Sequence, residues 1–197
     1  MIRFAALGSA ALLGLSACNA PAPAPAAPAP ATAPVPAMPA AAADRLTAAG
    51  FGPLRIGMTR AEIVSALGED ANPDAVGGPD PDSCDMFRPV RAPEGLLVMV
   101  EDGVLTSIHL GRNTVVATDR DLRIGDTAAA VKQAYGSAAR VSPHKYVDAP
   151  AEYITVWTTD EDFGPGARGL RYEIGSDGRV QGIAVGGPSI EYVEGCA

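Results

Sequence analysis

Two histidines, His109 and His144, and three cysteines, Cys18, Cys84 and Cys196, are the residues best suited to chemistry at neutral pH. Nucleophilic catalysis needs a base within hydrogen-bond reach of a hydroxyl or thiol, and a third group to orient the base. No nearby Ser, Cys or acid completes such an arrangement by motif. Alternation puts His109 on the side opposite Ile108 and Leu110, and His144 sits in the loop Ser142-Pro143-His144-Lys145, so both read as solvated or structural side chains. Asp80, Asp82 and Asp85 form one acidic group and Asp160, Glu161 and Asp162 another, but neither has the spacing of a calcium loop, and both read as solvated turns. Gly77-Gly78 is followed by no Lys-Ser/Thr pair and is a loop, not a phosphate cradle. Two cysteines without clustered histidines make a poor metal set. The motifs therefore imply no enzyme, no metal and no cofactor.

The cysteines acquire meaning from the N-terminus. Met1 to Ala17 carries one charge, Arg3, then an apolar run, then Leu15-Ser16-Ala17-Cys18. That run is shorter than the roughly 20 apolar residues a bilayer span needs, and it has the form of an export signal. Its end resembles the lipobox of bacterial lipoproteins, a Leu and two small residues before the Cys that receives lipid. The resemblance implies cleavage after residue 17 and acylation of Cys18, which would hold the chain on a membrane without a spanning helix. Asn19 follows; by the sorting rule of enterobacterial lipoproteins it favours the outer over the inner membrane. Residues 18–43 continue almost wholly as Ala and Pro. Such a segment is a semi-rigid, polyproline-like tether, reaching on the order of 75 Å at about 3.1 Å per residue. The expected site of action is the periplasm.

Of 15 Lys and Arg against 23 Asp and Glu, only Arg3 lies in the signal, so the net charge of −8 becomes roughly −9 on the mature chain. An acidic chain without a basic patch is unsuited to nucleic acid. With Cys18 lipidated, Cys84 and Cys196 remain as an even pair in an oxidising compartment, and a disulfide between them is expected.

These groups must be positioned by a region, residues 44–197, that is organised by a repeat. Leu54 to Gly68, LRIGMTRAEIVSALG, returns as Leu122 to Gly136, LRIGDTAAAVKQAYG, with eight of fifteen positions identical: Leu54/Leu122, Arg55/Arg123, Ile56/Ile124, Gly57/Gly125, Thr59/Thr127, Ala61/Ala129, Ala66/Ala134 and Gly68/Gly136. In each copy a short extended segment turns at the first glycine into a helix capped by Thr59 or Thr127 and stopped at Gly68 or Gly136. Glu62 completes a capping box in the first copy; Ala130 stands at that place in the second, which predicts a weaker start. Ile63 and Leu67, and likewise Val131 and Tyr135, share a helical face that should bury on a sheet. Strands are expected over residues 85–90, 95–100 and 104–110 in the first copy, with a tight turn at Asp102-Gly103, and over 153–159, 169–174 and 179–185 in the second, with Asp177-Gly178 at the matching turn. A last strand is expected over 189–193. The fold class is α+β: two tandem repeats, about 50–115 and 116–197, each a short helix followed by an antiparallel meander, forming one curved sheet with the helices on one face.

A Gly-Met-Thr turn opening a capped helix before an antiparallel meander resembles the β-lactamase-inhibitor-protein fold and the SmpA/OmlA group, the small lipoprotein of the β-barrel assembly machinery. Leu54, Ile56, Gly57, Met58, Thr59 and Gly68 carry the resemblance, with Asp126 replacing Met58 in the second copy. It implies a sheet face free of helices and available to a partner protein. Strand parity puts Ile154, Val156, Leu170, Tyr172 and Ile174 inside; it leaves Tyr153, Thr155, Trp157, Arg171, Glu173, Leu97 and Met99 outside, with His109. Aromatic residues, Arg and Met are enriched at protein interfaces, so Tyr153, Trp157, Arg171, Glu173, Leu97, Met99 and His109 are the partner-binding candidates. The alternative is that residues 69–83, the tether or the C-terminus cover this face. The expected function is a non-enzymatic binding module of the envelope. An inhibitor acting through residues 69–83 or 160–166, and a small enzyme with a concealed pocket, are the other readings.

Overall fold

The computed structural model describes residues 45–75, 77–158 and 163–197. The signal, Cys18, Asn19 and the tether lie outside them, as does Asp160 to Asp162. Three two-residue strands open the described chain, β1 (Arg45–Leu46), β2 (Gly50–Phe51) and β3 (Leu54–Arg55), followed by helix α1 (Arg60–Leu67). Next come β4 (Cys84–Phe87), β5 (Leu96–Glu101), β6 (Val104–Leu110) and β7 (Ala117–Thr118), then helix α2 (Ala128–Tyr135) and strands β8 (Arg140–Pro143), β9 (Glu152–Trp157), β10 (Gly169–Ile174) and β11 (Val180–Gly186). Seven of these strands form one antiparallel sheet in the order β4-β5-β6-β11-β10-β9-β8. The protein is α+β, as the sequence implies.

The duplicated block makes duplicated contacts. Thr59 Oγ accepts from the Glu62 amide at 3.3 Å while the Glu62 carboxylate accepts from the Thr59 amide at 2.7 Å, so the capping box is closed. Thr127 supplies only the first of these bonds, accepting from the Ala130 amide at 3.2 Å. Gly57 N–H donates to Leu105 O at 2.7 Å and Gly125 N–H to Val180 O at 2.8 Å; Arg60 N–H and Ala128 N–H each reach the glycine of a strand turn, Gly103 and Gly178, at 3.0 Å. Both turn glycines of the block have φ near +95°, a conformation that a side chain makes costly. Even the Met58-to-Asp126 exchange is conservative in this sense. Met58 Sδ accepts from the Arg55 amide at 3.0 Å, and Asp126 Oδ2 accepts from the equivalent Arg123 amide at 2.8 Å.

Each helix buries the expected face. Ile63 and Val131 are fully buried and join one cluster with Leu96, Val98, Leu105, Ile108, Ile154, Tyr172 and Ile183 from the sheet, with Leu67 and Tyr135 packed at its margin. There the Tyr135 and Tyr172 hydroxyls bond each other at 2.8 Å, and burial raises both phenols above their ordinary range, Tyr172 the more strongly.

Three features depart from the sequence expectation. The first strand of the sheet is Cys84–Phe87, not 85–90. Strand β8 was not anticipated; Pro143 ends it on the sheet's edge, where a missing donor is tolerated. The expected strand over 189–193 is instead a 3-10 turn, Pro188–Glu191, with proline in its first turn and Tyr192 N–H closing on Ser189 O at 3.1 Å.

Candidate functional site on the helix-free face

Strand parity holds on the second face of the sheet, and the chain returns across it. Glu173, Arg171 and Gly169 on β10 stand opposite Gly182, Ala184 and Gly186 on β11. Gly182 and Ala184 line a groove on this face. The segment after Gly187 turns back onto the same face: Pro188–Glu191 packs on β6, β10 and β11, with Ser189 and Ile190 buried. It then runs to the sheet's edge, where Cys196 is bonded to Cys84 on β4, Cα atoms 5.4 Å apart. The expected disulfide is present, and it ties this C-terminal strap to the first repeat.

Burial corrects three of the seven partner-binding candidates. Met99, Tyr153 and Arg171 are on the helix-free face as expected, but they are buried at 0%, 5% and 7% exposure; the returning C-terminal segment covers Arg171, and Arg171 and His144 cover Tyr153. Thr155 is buried with them. A buried guanidinium requires partners, and Arg171 has three: the Glu191 carboxylate at 2.8 Å, the Ile190 carbonyl at 3.3 Å and the Tyr153 ring, whose centroid lies 3.8 Å away. Glu191 in turn accepts from Thr155 Oγ at 2.9 Å.

Four candidates keep access to solvent: Leu97 at 39% exposure, Glu173 with 43% of its side chain exposed, and half-buried Trp157 and His109. Leu97, His109 and Glu173 line a groove of about 410 Å³ between strap and sheet, walled also by Ile190, Tyr192 and Glu194. Trp157 sits apart, covering Gly169 and packing on Phe163 at 5.8 Å between ring centroids. Burial lowers the His109 pKa to about 4, so its imidazole is neutral at pH 7.

Sequence reading missed two groups here. His144 and Tyr146, on the loop after β8, fold over the face: His144 stacks on Tyr153 at 4.6 Å and shares a 3.2 Å hydrogen bond with Glu173, while Tyr146 donates to Glu194 of the strap. Ser107 was also missed, although its two-residue spacing from His109 on a strand was a usable signal. Its hydroxyl and His109 Nε2 are 2.8 Å apart. A serine and a neutral histidine are the start of a nucleophile and base, but Ser107 is fully buried. Among the described residues no three His, Cys, Asp or Glu side chains converge as a metal set, and no helix is long and apolar enough to cross a membrane.

No protein-family model matches the chain, and no curated protein matches it. Among solved structures it is similar to a DUF4309 family protein (YjgB) from Bacillus subtilis, at 19% identity and a TM-score of 0.40, over 66% of this chain and 78% of that one. It is also similar to an extracellular protein containing an SCP domain from Bacillus anthracis, at 10% identity and a TM-score of 0.42, over 67% of this chain and 44% of that one. Neither is described as a β-lactamase-inhibitor or SmpA/OmlA protein, so that resemblance rests on the motif Leu54 to Gly68 and its copy.

Proposed function

We propose that this chain is a lipid-anchored envelope protein, held by acylated Cys18 with its folded region in the periplasm and the outer membrane favoured over the inner, and that it binds another protein through the helix-free face without catalysing a reaction. The observation that carries the reading is the groove left open beside the strap, with Leu97 exposed at its mouth. Leu97 shares this groove with Ile190 and Tyr192, apolar and aromatic side chains of the kind that a partner protein can cover. The lipobox and the Cys84–Cys196 bond both suit an exported protein.

The alternatives have less support. As an inhibitor the chain would project residues 69–83 or 160–166 into an active site; the first of these lies against β4, with Met86 N–H bonded to Gly77 O at 3.2 Å and no room for a side chain at Gly77 or Gly78, and residues 160–162 lie outside the described ones. As an enzyme it would use Ser107 and His109, and Ser107 is buried.

The test places a photo-crosslinking residue at position 97 in the full-length protein in cells. A single envelope protein, captured at 97 and lost when the strap-side residue Glu194 is replaced by Lys, supports the reading. Capture of nothing beyond what an exposed control position such as 115 recovers overturns it. Fractionation of the Cys18→Ser variant checks the anchor, since release of the protein from membranes is the expected result.

A further inference from the structure

We propose that the groove between the strap and strands β10 and β11 is a binding site for a primary ammonium group, with Glu173 as its counter-charge. The proposal rests on the reading of this face as the binding surface and names what it recognises.

The groove has a surplus of carboxylate. Arg171 is spent on Glu191, and His109 is neutral, so neither offers charge to a ligand. Glu173 and Glu194 remain among the lining residues, and Lys145, which does not line the groove, has its Nζ 5.3 Å from the centre of the Tyr146 ring.

Glu173 is also oriented. Its Oε1 is shared by two neighbours, Gln181 Nε2 at 2.9 Å and His144 Nε2 at 3.2 Å. Its Oε2 lies over Gly182, 3.2 Å from the place a β-carbon would occupy, so the carboxylate can lie there because residue 182 has no side chain, and 43% of the Glu173 side chain remains exposed. A carboxylate held by one oxygen and open at the other suits an ammonium, a compact point charge. It does not suit a guanidinium, whose planar fork is best matched by two free oxygens. Leu97 and Ile190 line the same groove and can cover the methylene stem behind such a charge. One chemistry fits both a lysine side chain of a protein and a free diamine.

Calorimetric titration of the full-length protein in detergent decides the matter, with three capped tripeptides centred on Lys, Arg or norleucine, and with 1,5-diaminopentane. Saturable binding of the Lys peptide or the diamine, with the Arg peptide weaker and the norleucine peptide silent, supports the site. The Lys peptide alone assigns it to a protein side chain, and the diamine alone assigns it to free amines. Glu173→Gln, which keeps an acceptor for Gln181, should weaken binding at least about tenfold. Gly182→Ala, whose β-carbon would crowd Oε2 and shift the carboxylate, should do the same. No amine binding, or binding that is indifferent to Glu173→Gln, overturns the proposal. If position 97 captures a partner while no amine binds, the ammonium site falls and the protein-binding reading stands; amine binding without capture gives the reverse.

Discussion

Arg171 on β10 and Glu191 on the returning strap meet at 2.8 Å, with 8% of the arginine side chain exposed and 32% of the glutamate's. The pair joins the centre of the sheet to the strap that packs on it. Glu191→Ala leaves the guanidinium buried beside only a carbonyl and a ring. The partial exposure of Glu191 moderates the cost, which we expect to be about 2 kcal/mol in urea denaturation. Adding Arg171→Met to that variant should recover most of the loss, because a buried cation without its partner costs more than an apolar side chain of similar length.

The disulfide fixes the far end of the same strap. Its sequence separation of 112 residues gives a chain-entropy contribution of up to about 4.7 kcal/mol. Replacing both Cys84 and Cys196 by Ser should therefore lower the urea midpoint clearly. Amide exchange at Ile190 and Tyr192, which bond to Gly187 O and Ser189 O, should quicken more than exchange in β9 and β10. Equal acceleration everywhere would show that the bond stabilises the whole fold without holding the strap in particular.

What could be read from sequence was local or periodic. Thr59, Glu62 and Gly68 announce a helix within ten residues of chain. Asp102-Gly103 turns a hairpin, with φ of 48° and 81°. Alternation along Tyr153 to Trp157 placed each side chain on its correct face. The strap was not legible, because nothing in Pro188 to Cys196 states where in space it lies. Ser189 to Val193 alternates as a strand would, and its packing as a 3-10 turn on β6, β10 and β11 depends on tertiary contacts that the alternation does not reveal. Consequently the faces of Arg171, Tyr153 and Met99 were readable and their burial was not. The loop carrying His144 and Tyr146 was obscure for the same reason: its partners, Glu173 and Glu194, are 29 and 48 residues away.

His109 makes stability depend on pH in a defined direction. Its pKa in the folded chain is lowered from 6.5 to about 4. Above 6.5 neither state holds the proton and there is no contribution. As pH falls from 6.5 towards 4 the unfolded chain takes up a proton that the folded chain refuses, so stability declines, by on the order of 3 kcal/mol in all; below 4 the decline from this residue ends. His109→Gln should flatten that part of the curve. An NMR titration in which the His109 ring shifts with a midpoint near 6.5 would contradict the assignment.

The two helix starts offer a comparison within one molecule. Thr59→Ala breaks a closed box, removing the acceptor for the Glu62 amide and the hydroxyl that bonds the Glu62 carboxylate at 2.8 Å; Thr127→Ala removes a single bond at Ala130. The first should cost about 1 to 2 kcal/mol in thermal or urea unfolding and the second about 0.5 to 1. Installing the missing acid by Ala130→Glu should not equalise them. Glu62 is exposed, whereas Ala130 is half-buried and packs against the core cluster. A carboxylate there would have to leave that contact or be desolvated in it, and either outcome offsets the few tenths of a kcal/mol that a second box would add. A variant clearly more stable than the parent would mean that the second helix has more freedom at its start than its packing implies.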